Sequence, residues 1–317
     1  MTFKINNIYS DKLLSPKVSI GMPVFNSEFK IKKALDSLLA QSFTNFETII
    51  SDNCSKDKTM HICEDYKSKD YRIKYFRQSQ NIGAFSNFEF VLNKAKSKYF
   101  MWACDDDIWL PKFIENCMKL LEKNKSVNLA MTNFKVISRF SSFLNLKFNP
   151  NAFSFLEVKN RDLRVLAYAK KSFNEHKDNM MFSLWKTIFL KKKFNQMKKL
   201  VKRPIAGGPL NDFILFKSNS RLCKEVLFMK TYRFIPPGHR FASFYIRISK
   251  IIKLIFSSMF NLYSNQNSKY YRNYIKPDYD DKEMSSCLKK VLNFYKINGK
   301  LRKKFVQNYL ISGIKVE

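Results

Sequence analysis

The feature that most constrains this chain is an alternation of short apolar, β-prone runs with amphipathic helical segments in its first third. Four β-prone runs predict strands, at residues 18–24, 46–51, 72–76 and 99–103. Segments with helical periodicity lie between them, at residues 27–41, 58–67 and 84–95. Strands joined by helices are typical of parallel βαβ units, so the sequence predicts an α/β fold with a doubly wound sheet. Ser27 is the candidate cap of the first helix.

The alternation fades after about residue 140, where the chain becomes rich in Phe, Asn and Lys. A strand is predicted at 180–185, followed by a basic helical segment that continues to Lys202, and another helix is predicted at 210–217. The 317 residues are 45% hydrophobic, which is enough for a large buried core and excludes wholesale disorder.

The chain is strongly basic: 58 basic and 26 acidic side chains give a formal net charge of +32. Such a field favours anionic partners, among them nucleotides, pyrophosphates, nucleic acid and anionic lipids, without choosing among them. A nucleic-acid-binding protein is therefore one alternative. No nucleic-acid module is recognisable in the sequence, and we expect no nucleic-acid partner.

The six cysteines form no CxxC pair and are not spaced with the three histidines as a zinc site requires. The first residues lack the continuous apolar stretch of a secretory signal. No uncharged apolar run approaches the roughly 20 residues needed to span a bilayer. We therefore expect a cytoplasmic protein with free thiols.

Three polar loops follow predicted strands, after Val24, Ser51 and Ala103. Ligands of parallel α/β sheets bind beyond the carboxyl ends of the strands, so we expect these loops to meet at one cleft. The third loop contains three adjacent carboxylates, Asp105, Asp106 and Asp107. They repel one another unless a cation or strong donors neutralise them, which makes them candidate ligands of Mg²⁺ or Mn²⁺. The alternative is an exposed acidic turn.

Two further loops contain groups suited to binding a nucleotide. Asp52 can accept hydrogen bonds from a base imide or a ribose hydroxyl, whereas Asp57 is favoured as a cap of the second helix. Before the third helix, Asn81 offers neutral hydrogen-bonding groups, and Gly83 permits a backbone angle that other residues rarely adopt.

Four motifs therefore occur in a fixed order: Val18-Ser19-Ile20 with Pro23-Val24-Phe25-Asn26; Ser51-Asp52-Asn53 with Ser55, Asp57 and Thr59; Asn81-x-Gly83; and Asp105-Asp106-Asp107-Ile108-Trp109-Leu110-Pro111. In this order and spacing they resemble an inverting family 2 glycosyltransferase with a GT-A nucleotide-sugar-binding fold. The resemblance covers residues 17 to about 135 and extends more weakly to about 235. Each motif is weak alone, and the four together are specific.

The resemblance implies an N-terminal extension followed by three regions of different role. These are a nucleotide-sugar-binding domain with a mixed sheet, the acceptor-side part of the GT-A fold, and a mainly helical basic C-terminal extension. Their bounds, in chain order with the N-terminal extension first, are 1–16, 17–135, 136–237 and 238–317.

The resemblance also implies which residues bind the nucleotide-sugar. They are Pro23, Val24, Phe25, Asn26, Asp52, Asn81, Gly83, Asp105 and Asp106. The first three would lie against the nucleotide base, and Asp52 would contact it.

The acidic cluster would bind the metal, Mn²⁺ or Mg²⁺, and the sugar diphosphate. Asp106 would be the central metal ligand with Asp107 beside it, while Asp105 would face the ribose. A frequent family pattern, Asp-x-Asp-Asp, places its first Asp at Cys104, so this chain departs from the family there. That departure leaves the division of roles among the three carboxylates open.

Inverting transfer also needs a base that removes the proton of the acceptor hydroxyl. The family usually supplies it from an acidic residue that begins a helix after a Gly-containing loop. The segment 207–212 fits this context, so Asp212 is the candidate catalytic base, with Asn211 in place of the acidic residue often found beside it. The alternative is an ordinary Asp in a first helical turn, with Glu175 and Asp178 as other candidate bases.

Residues 244–263 place apolar side chains on one helical face and basic ones on another. Such a helix can lie on an anionic membrane or pack on the protein's own core, and the sequence does not decide between them.

The sequence as a whole predicts a metal-dependent inverting glycosyltransferase of cell-surface polysaccharide synthesis, with a nucleotide-sugar donor. A UDP-sugar is favoured by family tendency, and the acceptor is a glycan or a lipid-linked glycan. Contact with the membrane would be peripheral. A transferase-like subunit that binds nucleotide without turnover is the second alternative.

Overall fold

The computed structural model describes residues 15–138, 153–160, 163–164, 167–168, 177–200 and 218–232. The strands are β1 (Val18–Val24), β2 (Phe46–Asp52), β3 (Ile73–Arg77), β4 (Tyr99–Trp102), β5 (Ile108–Trp109), β6 (Leu129–Ser138), β7 (Leu184–Lys186) and β8 (Ser220–Tyr232). The α-helices are α1 (Ile31–Leu39), α2 (Thr59–Lys69), α3 (Ala84–Lys94), α4 (Phe113–Lys123) and α5 (Thr187–Leu200). Short 3₁₀ helices lie at Ser154–Glu157 and Lys177–Phe182.

These strands form an eight-stranded sheet in the order β3-β2-β1-β4-β7-β6-β8-β5. Strands β3, β2, β1 and β4 are parallel to one another and alternate along the chain with α1, α2 and α3. Strand β7 runs antiparallel to both β4 and β6, and β8 pairs parallel with β6 and antiparallel with β5. The α/β class and the mixed sheet are thus confirmed. The predicted division at 135/136 falls within β6.

Apolar periodicity explains which helix faces are buried. Helix α1 buries its i, i+3, i+4 and i+7 positions, which are Ile31, Ala34, Leu35 and Leu38. Helix α4 does the same with Phe113, Ile114, Cys117, Met118 and Leu121. Helix α2 buries only Thr59 and Cys63, so it covers the sheet less than α1 and α4 do.

Pro23 sits in the central strand β1, where the missing amide donor needs an explanation. Strand β1 pairs with β4 only as far as Gly21, whose carbonyl accepts from the Ala103 amide (2.9 Å). Pro23 is two residues further along β1, so its backbone nitrogen points to the same side as the Gly21 carbonyl, where β4 has already ended. The proline therefore leaves no ladder hydrogen bond unmade and marks where β1 and β4 separate.

Two local expectations are wrong. Residues 180–185 do not form one strand, because the Ser183 amide and hydroxyl both donate to the Met180 carbonyl (3.1 and 2.6 Å) and close a 3₁₀ turn. Strand β7 begins only at Leu184. Ser27 does not cap α1 with its side chain, because the helix begins at Ile31 and the Ser27 hydroxyl bonds elsewhere.

Other predicted elements lie outside the described residues. They are the helix at 210–217, the amphipathic helix at 244–263 and the mainly helical C-terminal region. Within the described part of the chain, none of the helices combines the length and apolar character that a membrane span requires.

Substituting Gly21 by Ala should destabilise the fold by about 1–3 kcal/mol, because a Cβ there would lie 2.7 Å from both Phe100 and Val91. Urea denaturation measures this loss. Gly83→Ala is the comparison: its Cβ meets nothing within 4 Å, and the cost is only that of a positive φ, roughly 1 kcal/mol. Phe100→Leu should make Gly21→Ala less costly and leave the cost of Gly83→Ala unchanged. If the losses in free energy of unfolding simply add when Phe100→Leu is combined with Gly21→Ala, as they should with Gly83→Ala, the clash between Gly21→Ala and Phe100 is contradicted.

Candidate active site

The loops that follow β1, β2 and β4 meet at the carboxyl ends of the parallel strands, as the sequence predicts. The Asn26 amide donates to Ser55 Oγ (2.9 Å), and the Ser27 amide donates to Thr59 Oγ1 (2.7 Å), which fastens the first loop to the second. The Ser27 hydroxyl donates to Asp105 Oδ2, which joins the third loop to both. The three loops therefore build one rim.

The first loop carries the residues that the resemblance places against a nucleotide base. Val24 is in the core, Pro23 is half-buried, and the Phe25 side chain is 43% exposed, large for an aromatic residue. Asn26 has a positive φ of 49°, a conformation that Asn tolerates better than most residues. Of this set, Phe25 is the one that presents an accessible ring at the rim.

Asp52 ends β2 and is fully buried. Its Oδ1 accepts from the Ser55 amide (2.9 Å), and its Oδ2 accepts from the Tyr75 hydroxyl (2.9 Å) and from Arg77 Nη1 (3.0 Å). Arg77 also donates to the Ser55 carbonyl (2.8 Å). Burial and the bond to Asp52 raise the pKa of Tyr75, so it stays a donor. The structure thus places Asp52 beneath the rim, under Arg77, and its contact with a base stays a prediction.

Asp57 lies one residue before the N-cap of α2, Lys58, and its side chain accepts from the start of the helix, which is the interaction that the predicted cap would make. Its Oδ1 accepts from the amide of Thr59, the first residue of the helix (3.0 Å), and its Oδ2 accepts from the Glu28 amide (3.1 Å). Burial raises the pKa of Asp57, but the bonds from the Thr59 hydroxyl and from the amides lower it more, so the pKa lies below its usual value. Asp57 is therefore a structural anion of the second loop.

Asn81 and Gly83 form the fourth side of the rim. Asn81 Oδ1 accepts from Asn53 Nδ2 (2.9 Å) and from the Gly83 amide (2.9 Å). Gly83 has φ +82°, so a residue with little steric restriction is needed there before α3 begins. Both predicted residues therefore lie next to the second loop, held to it through Asn53.

The acidic cluster is less exposed than an acidic turn on the surface would be. Asp105 is 9% exposed and bonds to Ser27, with Lys30 Nζ 3.2 Å from its Oδ2. Asp107 is fully buried, and Asp106 is half-buried. The alternative of an exposed acidic turn is wrong for Asp105 and Asp107.

Asp107 pairs with residues from the far end of the described chain. Lys230 Nζ lies 2.8 Å from its Oδ2, and the Thr231 amide donates to its Oδ1 (3.0 Å). Burial raises the pKa of Asp107 to about 6, although Lys230 opposes this. Burial alone would lower the pKa of Lys230, but the negative charge of Cys104 when it is ionised and of the Asp107 carboxylate outweighs burial and raises the pKa, so Lys230 is a cation at neutral pH.

A divalent ion fits three side chains of this cluster. Cys104 Sγ and one oxygen each of Asp106 and Asp107 all lie within 4.8 Å of one another. Ligand atoms on one ion lie at most about 4.6 Å apart when each bond is at most about 2.3 Å, so these atoms need to move little. Burial raises the pKa of the Cys104 thiol, and the carboxylates raise it further, so the thiol is protonated without an ion.

The other catalytic candidates lie outside the described residues or have undescribed side chains. Asp212, Asn211 and Glu175 are outside, and only the backbone of Asp178 is described. The proton acceptor therefore stays a prediction.

Sequence reasoning missed the cations that pair with the buried carboxylates: Lys30 at Asp105, Arg77 at Asp52 and Lys230 at Asp107. Lys30 and Arg77 lie next to predicted motifs and carry no signal of their own. Lys230 ends the apolar, β-prone run 226–229, and that run was the one indication of strand β8. Its approach to Asp107, 123 residues away, is set by the sheet alone.

Comparison with protein families gives one match over more than half of the chain. The family model for glycosyl transferase family 2 matches residues 19–189. An uncharacterized glycosyltransferase of Rickettsia typhi is 39% identical over 115 residues, which is 36% of this chain and 35% of that protein. This alignment thus spans about a third of the relative's length.

A longer alignment joins this chain to a Campylobacter jejuni protein named GalNAc(5)-diNAcBac-PP-undecaprenol β-1,3-glucosyltransferase. It is 25% identical over 279 residues, 77% of this chain and 87% of that protein. Among solved structures, S. aureus TarS 1-349 in complex with UDP superposes with a TM-score of 0.55 at 16% identity, covering 94% of this chain and 90% of that one. TarS 1-349 in complex with UDP-GlcNAc superposes with a TM-score of 0.53 at 19% identity, covering 69% of this chain and 60% of that one. These likenesses confirm the GT-A fold.

Asp107 should make folding stability fall as the pH rises from 4 to 7. The pKa of its carboxyl is about 6 in the folded protein against an ordinary 3.8, so the folded state binds the proton more tightly. Its stabilising contribution is full below pH 4 and lost as the pH rises through 6. The stability of wild type relative to that of Asp107→Asn should therefore fall by about 2–3 kcal/mol between pH 4 and pH 7.

Urea denaturation of both proteins at pH 4 and pH 7 measures this change. Asp65→Asn, on the exposed part of α2, is the control. The stability of wild type relative to this variant should show no comparable fall between pH 4 and pH 7. Parallel pH profiles of wild type and Asp107→Asn would contradict the raised pKa.

Proposed function

The chain belongs to glycosyl transferase family 2, and from this premise we propose that it transfers a sugar, with inversion, from a nucleotide-sugar donor to a glycan or lipid-linked acceptor. The observation that carries the proposal is the acidic cluster at the carboxyl end of β4, within one rim of loops that also presents Phe25. A cleft with an accessible ring and a nearby cation site suits a nucleoside diphosphate.

The base subsite in this proposal lies between the first and second loops. Phe25 packs on the base, and Asn26, Asn81 and Gly83 line the edge, with Pro23 and Val24 supporting it. Asp52 reaches the base only if Arg77 leaves Oδ2, since the carboxylate is otherwise enclosed. A UDP-sugar is the favoured donor, supported by the UDP and UDP-GlcNAc bound to TarS.

The diphosphate subsite lies at the acidic cluster. Asp106 and Asp107 would hold Mn²⁺ or Mg²⁺, with the Cys104 thiol beside them, and the ion as a Lewis acid would stabilise the charge on the leaving diphosphate. Asp105 faces the ribose in this arrangement, held by Ser27 and Lys30.

The acceptor side is proposed with Asp212 as the base that removes the proton of the acceptor hydroxyl. A place in cell-surface polysaccharide synthesis with a lipid-linked acceptor is supported by the name of the Campylobacter relative. Peripheral contact with an anionic membrane is part of the proposal, supported by the net charge of +32.

Cys104 favours a second candidate function, a subunit that binds nucleotide without turnover. A thiol stands where the family pattern has a carboxylate, and its raised pKa keeps it neutral. Such a subunit would bind a nucleoside diphosphate with metal and never consume the donor.

The first experiment is thermal unfolding of the protein with UDP-, GDP-, CMP- and dTDP-sugars, with and without Mn²⁺. A ligand that binds only the native state raises the unfolding temperature. We expect a metal-dependent rise with one nucleotide class. Suppose instead that an oligonucleotide raises the unfolding temperature, in a way that added salt abolishes, while no donor raises it. That result would favour nucleic-acid binding.

Asp106→Asn should weaken Mn²⁺-dependent donor binding by about tenfold or more, because it removes a charged oxygen ligand. Titration calorimetry with the donor that gives the thermal shift measures this in Mn²⁺ and in EDTA. Asp65→Asn makes the same charge change on the surface and should bind as wild type does. Equal donor affinity and equal metal dependence in Asp106→Asn would remove Asp106 from the metal site.

Asp212→Asn should slow turnover at least about a hundredfold and leave donor affinity unchanged, because it removes only the proton acceptor. Slow hydrolysis of the donor, with water as the acceptor, gives a readout that needs no known acceptor. Asp178→Asn is measured beside it as the other candidate base. Full activity of Asp212→Asn would overturn the assignment, and no hydrolysis by wild type despite tight donor binding would favour the subunit without turnover.

A further inference from the structure

Strand β8 carries a lysine across the sheet into the acidic cluster. Strand β5 pairs with β8 through Ile108 and Met229, so the residues next to this pair, Asp107 and Lys230, are brought together. Lys230 Nζ lies 2.8 Å from Asp107 Oδ2, and the next amide along β8 bonds the other oxygen. Two strands, rather than a surface loop, therefore position this ammonium.

The ammonium is held on several sides. It lies 4.9 Å from the centroid of the Phe182 ring, and the Lys230 side chain is only 19% exposed. Burying an ion pair costs desolvation that its attraction need not repay, so stability alone does not account for a lysine here.

The position of the ammonium relative to the cation site is decisive. Asp107 is one of the three side chains whose ligand atoms lie within 4.8 Å of one another. An ion on Asp107 Oδ2 would lie within about 5 Å of Lys230 Nζ, and an ion on Oδ1 within about 7 Å, given bonds of about 2.1 Å to the oxygens. A diphosphate that binds this ion brings its oxygens into the same volume.

We propose that Lys230 is a second cation of the donor site, which binds a diphosphate oxygen of the nucleotide-sugar. This inference rests on the proposed function. One of the three ammonium donors goes to Asp107, and the other two suit phosphate oxygens, which lysine binds as a point charge.

In the transfer step, the bond between the anomeric carbon and the diphosphate oxygen breaks, and its electron pair stays on the diphosphate. The acceptor oxygen forms the new bond to the anomeric carbon, and its proton goes to the base. Lys230 neither gains nor loses a proton. It stabilises the charge that develops on the diphosphate, in a partly buried place where such a charge interaction is strong.

The test is titration calorimetry of wild type, Lys230→Met and Lys230→Arg with UDP, GDP and the two nucleosides in Mn²⁺. Lys230→Met should weaken binding of the diphosphate roughly 10- to 100-fold and change nucleoside binding little, because only the diphosphate loses a charge-assisted bond. Lys230→Arg should recover most of the loss. Lys224→Met, exposed on the same strand, is the control and should bind as wild type does.

A second readout separates this role from a purely structural one. Mn²⁺ binding without nucleotide, followed by the spin-resonance signal of the free ion, should be unchanged or tighter in Lys230→Met because a repelling charge has been removed. A structural role predicts the opposite, since a collapsed cluster would lose Mn²⁺ and nucleoside affinity together. If Lys230→Met does not fold, Lys230→Gln, which keeps a donor for Asp107 without the charge, is measured in its place.

The outcomes separate the two proposals. Suppose that wild type binds a diphosphate and that the Lys230 variant keeps the same ratio of diphosphate to nucleoside affinity. That result overturns the role of Lys230 alone. No binding of either diphosphate by wild type overturns the proposed function, and the role of Lys230 with it.

Discussion

The rest of this structure depends on supplying partners to carboxyl groups in a place with little water. Asp52 and Asp107 are fully buried and Asp105 is nearly so, and a buried carboxylate without partners would protonate or destabilise the fold. Each therefore has a partner from another segment: Arg77 and Tyr75 for Asp52, Lys30 and Ser27 for Asp105, and Lys230 for Asp107. These pairings hold the loops of the rim and strand β8 together.

The departure of this chain from its family pattern takes on a physical meaning in this setting. Cys104 stands where that pattern has a carboxylate, while Asp105 supplies a carboxylate at its variable position, so the number of carboxylates is unchanged at three. Lys230 places one positive charge beside them and thereby reduces the net negative charge of the cluster. A lower negative charge weakens the attraction for a divalent ion and reduces the repulsion of an anionic diphosphate.

The sequence was sufficient for the parts of the fold that local pattern determines. Strands β1 to β4 and helices α1 to α3 follow from apolar periodicity, and Gly83 and Asp57 do what their residue types favour at those positions. The convergence of the loops followed from the rule for parallel sheets. Strand β8, Lys230 and the burial of Asp52 were not predictable, because they depend on pairing between distant segments. The turn at Ser183 replaced a predicted strand because one hydroxyl and one amide close on the same carbonyl.

The pairing of Asp107 with Lys230 has a consequence for how the protein is made. The acidic residue leaves the ribosome 123 residues before its partner, at synthesis rates of about 5–20 residues per second. For several seconds the nascent chain carries strands β1 to β4 with an acidic cluster that no lysine from β8 neutralises. During that interval β6 and β5 lack the strand that lies between them, so the sheet is incomplete at the position of β8. The ion pair of Asp107 with Lys230 thus forms late in synthesis, after β8 has been made.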